Sequence, residues 1–227
     1  MEVTEIWRYP IKTMAGEKLQ RACLGPLGIE GDRVVHVETV QGRVITSRSH
    51  PRFLGHKGTL GLDGEPLVDG RAWNSPEVAA EVVDIAGPGA KLVRYDGAER
   101  FDILPLLVAT DGAIAAFGHD HRRLRPNIVI GGVEGLAERE WPSGCLRIGK
   151  VLVGVQDLRL RCIMTSYDPD TLVQDKEITR DIYRRFDGKL ALNCFVIEAG
   201  EIRVGDQVQL LRGRACTESE AIAVFGD

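Results

Sequence analysis

Apolar and polar positions alternate in short runs along most of this chain, and glycine, proline, asparagine or aspartate closes each run. Alternation of period two places successive side chains on opposite faces of a strand, so these runs predict β-structure. Residues 2–7 alternate and stop at Tyr9-Pro10; residues 19–24 repeat the pattern and stop at Gly25-Pro26. Residues 34–38 and 43–46 flank Val40-Gln41-Gly42, which predicts a hairpin with a glycine in its turn. Leu60-Gly61-Leu62-Asp63-Gly64-Glu65 predicts a further turn.

The period changes in three places. Ser75-Pro76-Glu77 supplies an N-cap serine, a proline for the first helical position and an early acid. Val78, Val82 and Val83 then form one apolar face, and Gly87-Pro88-Gly89 is the stop. Asp111 is placed to cap a short helix over residues 113–117, stopped at Gly118. Residues 177–186 carry Ile178, Ile182 and Phe186 on one helical face, with Gly188 beyond them. Strand patterns return at 127–130, at 145–155 (two strands around Gly149), at 192–198 and at 208–211. Many short strands, few helices and glycine turns predict a mostly β fold of closed or strongly bent barrels.

Length and composition narrow the function classes. The 227 residues allow one large domain or two small ones, and 44% hydrophobic with 27% charged residues is ordinary globular composition. A net charge of -4 gives no global basic field, so no nucleic-acid partner is expected. A local anion site remains open, because arginines cluster at Arg122, Arg123 and Arg125, at Arg159 and Arg161, and at Arg184 and Arg185. No apolar run approaches the roughly 20 residues needed to span a bilayer. Met1-Glu2-Val3-Thr4-Glu5 also lacks the basic start and apolar core of a signal peptide. A soluble, cytoplasmic protein without a membrane partner is therefore expected. Five widely spaced cysteines without a CxxC pair fit that compartment and argue against a zinc knuckle. There is no GxGxxG and no GxxxxGK[ST].

The candidate chemistry centres on Cys162, in Arg159-Leu160-Arg161-Cys162-Ile163-Met164-Thr165. Two readings stand: a small core hydrophobe at a strand end, or a thiolate favoured by arginines and able to bind a soft metal. Strand alternation would put Arg159 and Arg161 on one face and Cys162 on the other. In Arg123-Leu124-Arg125-Pro126-Asn127, the proline pushes Arg125 towards an extended conformation that aims its fork. Arg125 and Asn127 then suit an anion with hydrogen-bonding edges, or form a solvated cluster on an edge strand. Lys12 and Thr13, on a loop with Gly16 close by, are able to hold a phosphate, although the spacing is far from a Walker motif. Asp32-Arg33 reads as an ion pair closing a turn, and Arg48 as a surface residue. The five histidines show no ligand spacing and receive no role.

Taken in order, these elements resemble the MOSC family, whose members include the mitochondrial amidoxime-reducing component and the C-terminal domain of molybdenum cofactor sulfurase. The residues that carry the resemblance are Tyr9-Pro10-Ile11-Lys12-Thr13, Gly28-Ile29 with Asp32-Arg33, Thr46-Ser47-Arg48, Arg123-Leu124-Arg125-Pro126-Asn127-Ile128-Val129, Arg147-Ile148-Gly149, Arg161-Cys162-Ile163-Met164-Thr165 and Gly205-Asp206-Gln207-Val208. The resemblance implies an N-terminal MOSC β-barrel part over residues 1–90, packed on a MOSC β-barrel over residues 91–212. The barrels would share strands, and a tail would follow at 213–227.

It also implies a molybdenum cofactor (Mo-molybdopterin) held between the two parts. Cys162 falls on the family's cysteine and would be both metal ligand and catalytic residue, a soft thiolate on a thiophilic metal. Lys12 and Thr13 match loop residues near the cofactor's anionic end, and Arg125 and Asn127 match residues that contact the pterin and its phosphate. Arg161 would add positive charge beside Cys162, with Arg33 and Arg48 as further phosphate partners. The implied activity is reduction of small N-hydroxylated compounds by oxygen-atom removal at molybdenum. The chain has no ferredoxin-type cysteine pattern and no flavin signature, so a separate reductase would supply electrons. The alternatives are a sulfur carrier or cofactor-handling protein with a persulfide on Cys162, and a non-catalytic barrel. The sequence departs from the family at Asp111-Gly112-Ala113, where many members carry Ser or Thr, and at Leu190-Ala191-Leu192-Asn193. The first departure would set an acid near a phosphate.

Overall fold

Seven strands close into a ring in the computed structural model, which describes residues 1–211; the tail at 213–227, with Cys216, lies outside the described residues. Around the ring run Val208–Leu211, Cys145–Ile148, Val151–Leu160, Lys189–Glu198, Leu106–Thr110, Ile128–Gly131 and Glu2–Arg8. Neighbours are antiparallel except Leu106–Thr110 with Ile128–Gly131, which are parallel. Closure is made at the start of the first strand. Val3 N–H donates to the Asp206 carbonyl at 2.9 Å, Gly205 N–H to Val3 at 2.7 Å and Val208 N–H to Met1 at 2.8 Å. A closed ring leaves few backbone groups unpaired at an edge.

Alternation along each strand decides what fills the ring. Val3 and Ile6, Val108, Ile128 and Ile130, Val151, Val153 and Val155, and Leu192, Cys194 and Val196 pack together as its core. A second core, in the N-terminal part, gathers Ile11, Met14, Val35, Val37, Phe53 and Val68 with Val78 and Val82 of helix α1 (Pro76–Ala86). Three small three-stranded sheets surround that core and the ring's flank, one of them joining Arg21–Gly25 to Gly200–Arg203. The fold is thus mostly β, with an N-terminal part packed on a barrel.

Helices form where capping and periodicity agree. The Ser75 hydroxyl accepts from Val78 N–H at 3.4 Å at the start of α1. Helix α3 (Lys176–Phe186) buries Ile178, Ile182 and Phe186. Helix α2 (Asp111–Phe117) corrects the expected cap: Thr110 is the N-cap, its hydroxyl accepting from Ala113 N–H at 3.1 Å, and Asp111 is the first helical residue.

The run over 19–24 is also two strands. Glu17–Leu19 pairs with Glu2–Arg8, while Arg21–Gly25 leaves for another sheet. One ring strand, Leu106–Thr110, was not foreseen. All five of its residues are buried, so it shows no alternation to detect. No helix among the described residues is long and apolar enough to cross a membrane.

Candidate functional site

The strand Val151–Leu160 delivers the central side chains. Its last anchor is Arg161 N–H donating to the Gly188 carbonyl at 2.8 Å. Beyond it the chain turns into a 3₁₀ turn, Ile163–Ser166. Both the backbone N–H and the hydroxyl of Thr165 donate to the Cys162 carbonyl, at 3.1 and 3.0 Å. The same hydroxyl meets that of Thr179 on α3 at 3.0 Å. Cys162 is therefore a free, half-buried thiol on a backbone pinned from two sides. The expected opposition of Cys162 and the arginines does not hold. The pleat ends at Leu160, and Arg159, Arg161 and Cys162 all reach one cavity.

That cavity, of about 120 Å³, gathers Lys12, Thr13, Arg33, Arg48, Arg125, Arg161 and Cys162 from across the chain. Asn127 is not on its wall. Its amide is fully buried, donating to the Trp7 carbonyl at 3.3 Å and to Asp32 at 3.2 Å, and accepting from Leu107 N–H at 3.1 Å and from Arg33 at 3.4 Å. Asp32, also fully buried, accepts from Tyr9 N–H at 2.7 Å and pairs with Arg33. Asn127 and Asp32 together hold Arg33 at the wall from behind.

Arg125 also differs from expectation. It lies in the left-handed region, at φ 55 and ψ 51, not extended. Its N–H closes the turn His121–Leu124 on the Arg122 carbonyl at 3.1 Å, and its guanidinium lies 4.3 Å from the centre of the Tyr9 ring. Turn closure and cation–π stacking outweigh the preference that Pro126 imposes.

The wall is strongly cationic. Lys12, Arg33, Arg48, Arg123, Arg125, Arg159 and Arg161 line it, against one lining acid, Asp102. Sequence reasoning missed Asp102, which lies in a stretch without pattern. Lys12 pairs with it at 2.8 Å, Arg48 at 3.1 Å and Arg159 at 3.7 Å. Burial alone would push the Asp102 carboxyl up, but the Lys12 hydrogen bond and the charges of Lys12, Arg48 and Arg159 hold it below the ordinary carboxylate range.

Arg33 is spent on Asp32, and Arg123 on Asp168 at 2.8 Å. Arg125 and Arg161 have no carboxylate partner among the described residues. Arg161 is 8% exposed, and its Nη2 donates to the Leu124 carbonyl at 2.8 Å. Burial, with the neighbouring charge of Arg159, pushes it down to about 10. Asn193 and Leu107, likewise unforeseen, complete the wall.

Three buried polar atoms on this wall have no partner among the described residues: Thr13 Oγ1, Arg123 Nε and Arg161 Nε. Unpaired buried donors and cations are costly, so a wall that keeps them is built for something that accepts hydrogen bonds and carries negative charge. Such a donor set, beside one soft thiol, fits a phosphate-bearing pterin dithiolene with a thiophilic metal. Away from the cavity, ligand atoms of His56, Asp69 and Glu81 lie within 4.8 Å of one another, but Glu81 is bidentate on Arg71 at 2.7 Å. Asp111 also lies off the wall. Its carboxylate accepts from the N–H groups of Gly112 at 2.8 Å, Gly132 at 2.7 Å and Val133 at 2.9 Å.

Two family models match most of the chain. Residues 111–209 match the MOSC domain, and residues 1–69 match the MOSC N-terminal beta barrel domain. Mitochondrial amidoxime-reducing component 1 of Homo sapiens is 26% identical over 92% of this chain and 82% of its own length, as is that of Mus musculus. Among solved structures, the YUAD protein from Bacillus subtilis aligns over 92% of this chain and 94% of its own, at 11% identity and a TM-score of 0.48.

Proposed function

The chain belongs to the MOSC family, and from that premise we propose that its cavity holds a molybdenum cofactor and serves the reduction of small N-hydroxylated compounds. The observation that carries this reading is Arg161, buried beside Cys162 with, among the described residues, no partner for its Nε and no carboxylate pair. A cation in that state lowers its cost by binding an anion. The amidoxime-reducing relatives suggest which reaction the family site supports here.

In this reading Cys162 is the metal ligand and the catalytic residue, since a thiolate suits a soft metal. Arg161 and Arg125 offset the negative charge of the bound group. Lys12, Thr13, Arg33 and Arg48 bind its anionic end, with the Thr13 hydroxyl free to donate. Asn127 acts from behind, positioning Arg33 through Asp32. The chemistry that the cofactor supplies when bound is oxygen-atom removal from nitrogen. Its electrons come from a separate reductase, since the sequence has no cluster or flavin motif of its own.

The test is metal and pterin content. Protein from a host that makes the cofactor should carry near-stoichiometric molybdenum and yield the fluorescent oxidised pterin, whereas Cys162→Ser should lose the metal. Equal molybdenum in both proteins would end the ligand assignment. A sulfur adduct on Cys162 without molybdenum would select sulfur carriage instead.

A further inference from the structure

Behind the wall formed by Arg123 and Arg125 lies a second cavity, of about 290 Å³, which shares those two arginines and Met164 with the first. Its chemistry differs from that of its neighbour. Trp7 and Tyr167 give it aromatic faces, Met164 a thioether face, and Tyr9 a buried ring covered by Arg125. Tyr9 is fixed in place: its hydroxyl donates to the Pro126 carbonyl at 3.1 Å. Gly16 backs its ring so closely that a Cβ there would come within 2.5 Å of Cδ1. A built aromatic wall of this size suits one substituted six-membered ring.

Charge decides which ring. Arg122 is committed to Asp120 and Asp170, both at 2.6 Å, and Arg123 to Asp168. The one lining acid, Asp170, is thereby neutralised. Lys57 and Arg125 also line the cavity, and neither has a carboxylate partner among the described residues. With Arg125 turned to the cofactor's charge, a cationic ligand still meets the uncompensated Lys57 here, whereas an anionic one finds in it a free partner.

We propose that this second cavity seats the body of the substrate and selects a planar ring bearing a negative charge, with Lys57 as the specificity-determining residue. The proposal rests on the reductive reading given above and names the substrate class for it. The ring lies against Trp7 and Tyr167, because Arg125 already covers the Tyr9 ring. Met164, common to both cavities and two residues past Cys162, marks the passage by which the N-hydroxyl end reaches the first cavity.

Three probes that share one ring test this: benzamidoxime, its 4-carboxy derivative and its 4-aminomethyl derivative. On the molybdenum-loaded protein, KM for the carboxylate should lie about tenfold below that of the aminomethyl compound, with the neutral probe between. Lys57→Glu should reverse that order at unchanged molybdenum content. Equal KM values in the natural protein, or an order that survives Lys57→Glu, would overturn the proposal. Tryptophan fluorescence of the full-length chain, titrated with the same probes, needs no turnover; Trp7→Phe identifies the reporter. Saturable quenching that favours the carboxylate and depends on Lys57, without turnover of any probe, would sink the reductive reading and leave this site standing. Turnover without any dependence on charge would do the reverse.

Discussion

At the Leu107 end of the strand Leu106–Thr110, seven cations face one acid across a cavity, and two of them have no carboxylate partner among the described residues. At the Thr110 end an exposed acid, Asp111, and a buried one, Glu138, are held without a ligand. Asp111 accepts three backbone N–H groups. Glu138, 1% exposed, accepts the Thr110 hydroxyl at 3.3 Å, and burial pushes its carboxyl above the ordinary range, towards the neutral form. The difference teaches how to separate a structural charge from a functional one. Where the protein satisfies or neutralises its own groups, they hold the fold. Where it leaves guanidinium groups and hydroxyls unsatisfied around a void, a ligand is the missing partner.

Arg161→Met breaks the comparison most sharply. If Arg161 is kept for an anion, removing it should cut molybdenum per folded protein by at least about tenfold. The cofactor-free protein should lose no more than about 1 kcal/mol, because an unpaired buried cation contributes little net stability and methionine fills its space. Elemental analysis together with a urea midpoint measures both. A drop of several kcal/mol with metal content intact would make Arg161 a structural residue like Asp111.

Much of the ring could be read along the chain, from short apolar runs closed by glycine as well as from period two, since Ile128–Gly131 and most of Lys189–Glu198 are buried on both faces. Leu106–Thr110 escaped because it is buried on both sides and runs straight into the helix that Thr110 caps, with no glycine to close it. The site divides in the same manner. Cys162 and Arg161 are neighbours in sequence and remain neighbours in space. Which arginines stay unpaired is decided by Asp32, Asp102 and Asp168, brought from distant segments by the barrel, and no local spacing encodes that. Asn127 follows Pro126 as a ligand would, yet the backbone of Trp7 and Leu107 claims its amide. Asp111 looked like a poor neighbour for a phosphate; it lies beyond the cavity wall, tied to the 132–133 turn.

Asp111→Ala sharpens the comparison from the structural end. Three N–H groups lose their acceptor, and stability should fall by about 1 to 2 kcal/mol at neutral pH, while molybdenum per folded protein stays constant. The pH dependence has a definite sign. Burial opposes ionisation of Asp111, but the N–H groups of Val133, Gly132 and Gly112 outweigh it and hold the carboxyl below its ordinary 3.8. Its contribution is therefore complete above 3.8 and is lost as pH falls through the lower folded value. Natural and variant midpoints should converge in acid. A variant that lost metal without losing stability would place Asp111 in the site after all.

Glu138→Gln is the smallest effect and probes the opposite sign. Burial raises the Glu138 carboxyl above its ordinary 4.5, and its Oε1 has no partner among the described residues. The folded state thus holds the proton more tightly than the unfolded chain. Stability is greatest below 4.5 and declines as pH rises from there through the folded value, where ionisation inside the barrel wall must be overcome. Glutamine keeps the shape and cannot ionise, so the variant's curve should be flat over that range. Relative to the natural protein, the variant should gain on the order of 1 kcal/mol between acid and neutral pH. Thermal midpoints at a series of pH values measure the gap. Parallel curves would mean that Glu138 ionises with a partner to meet it. A buried charge at the Thr110 end would then need a ligand as much as Arg161 does, and the contrast between the two ends of the strand would fail.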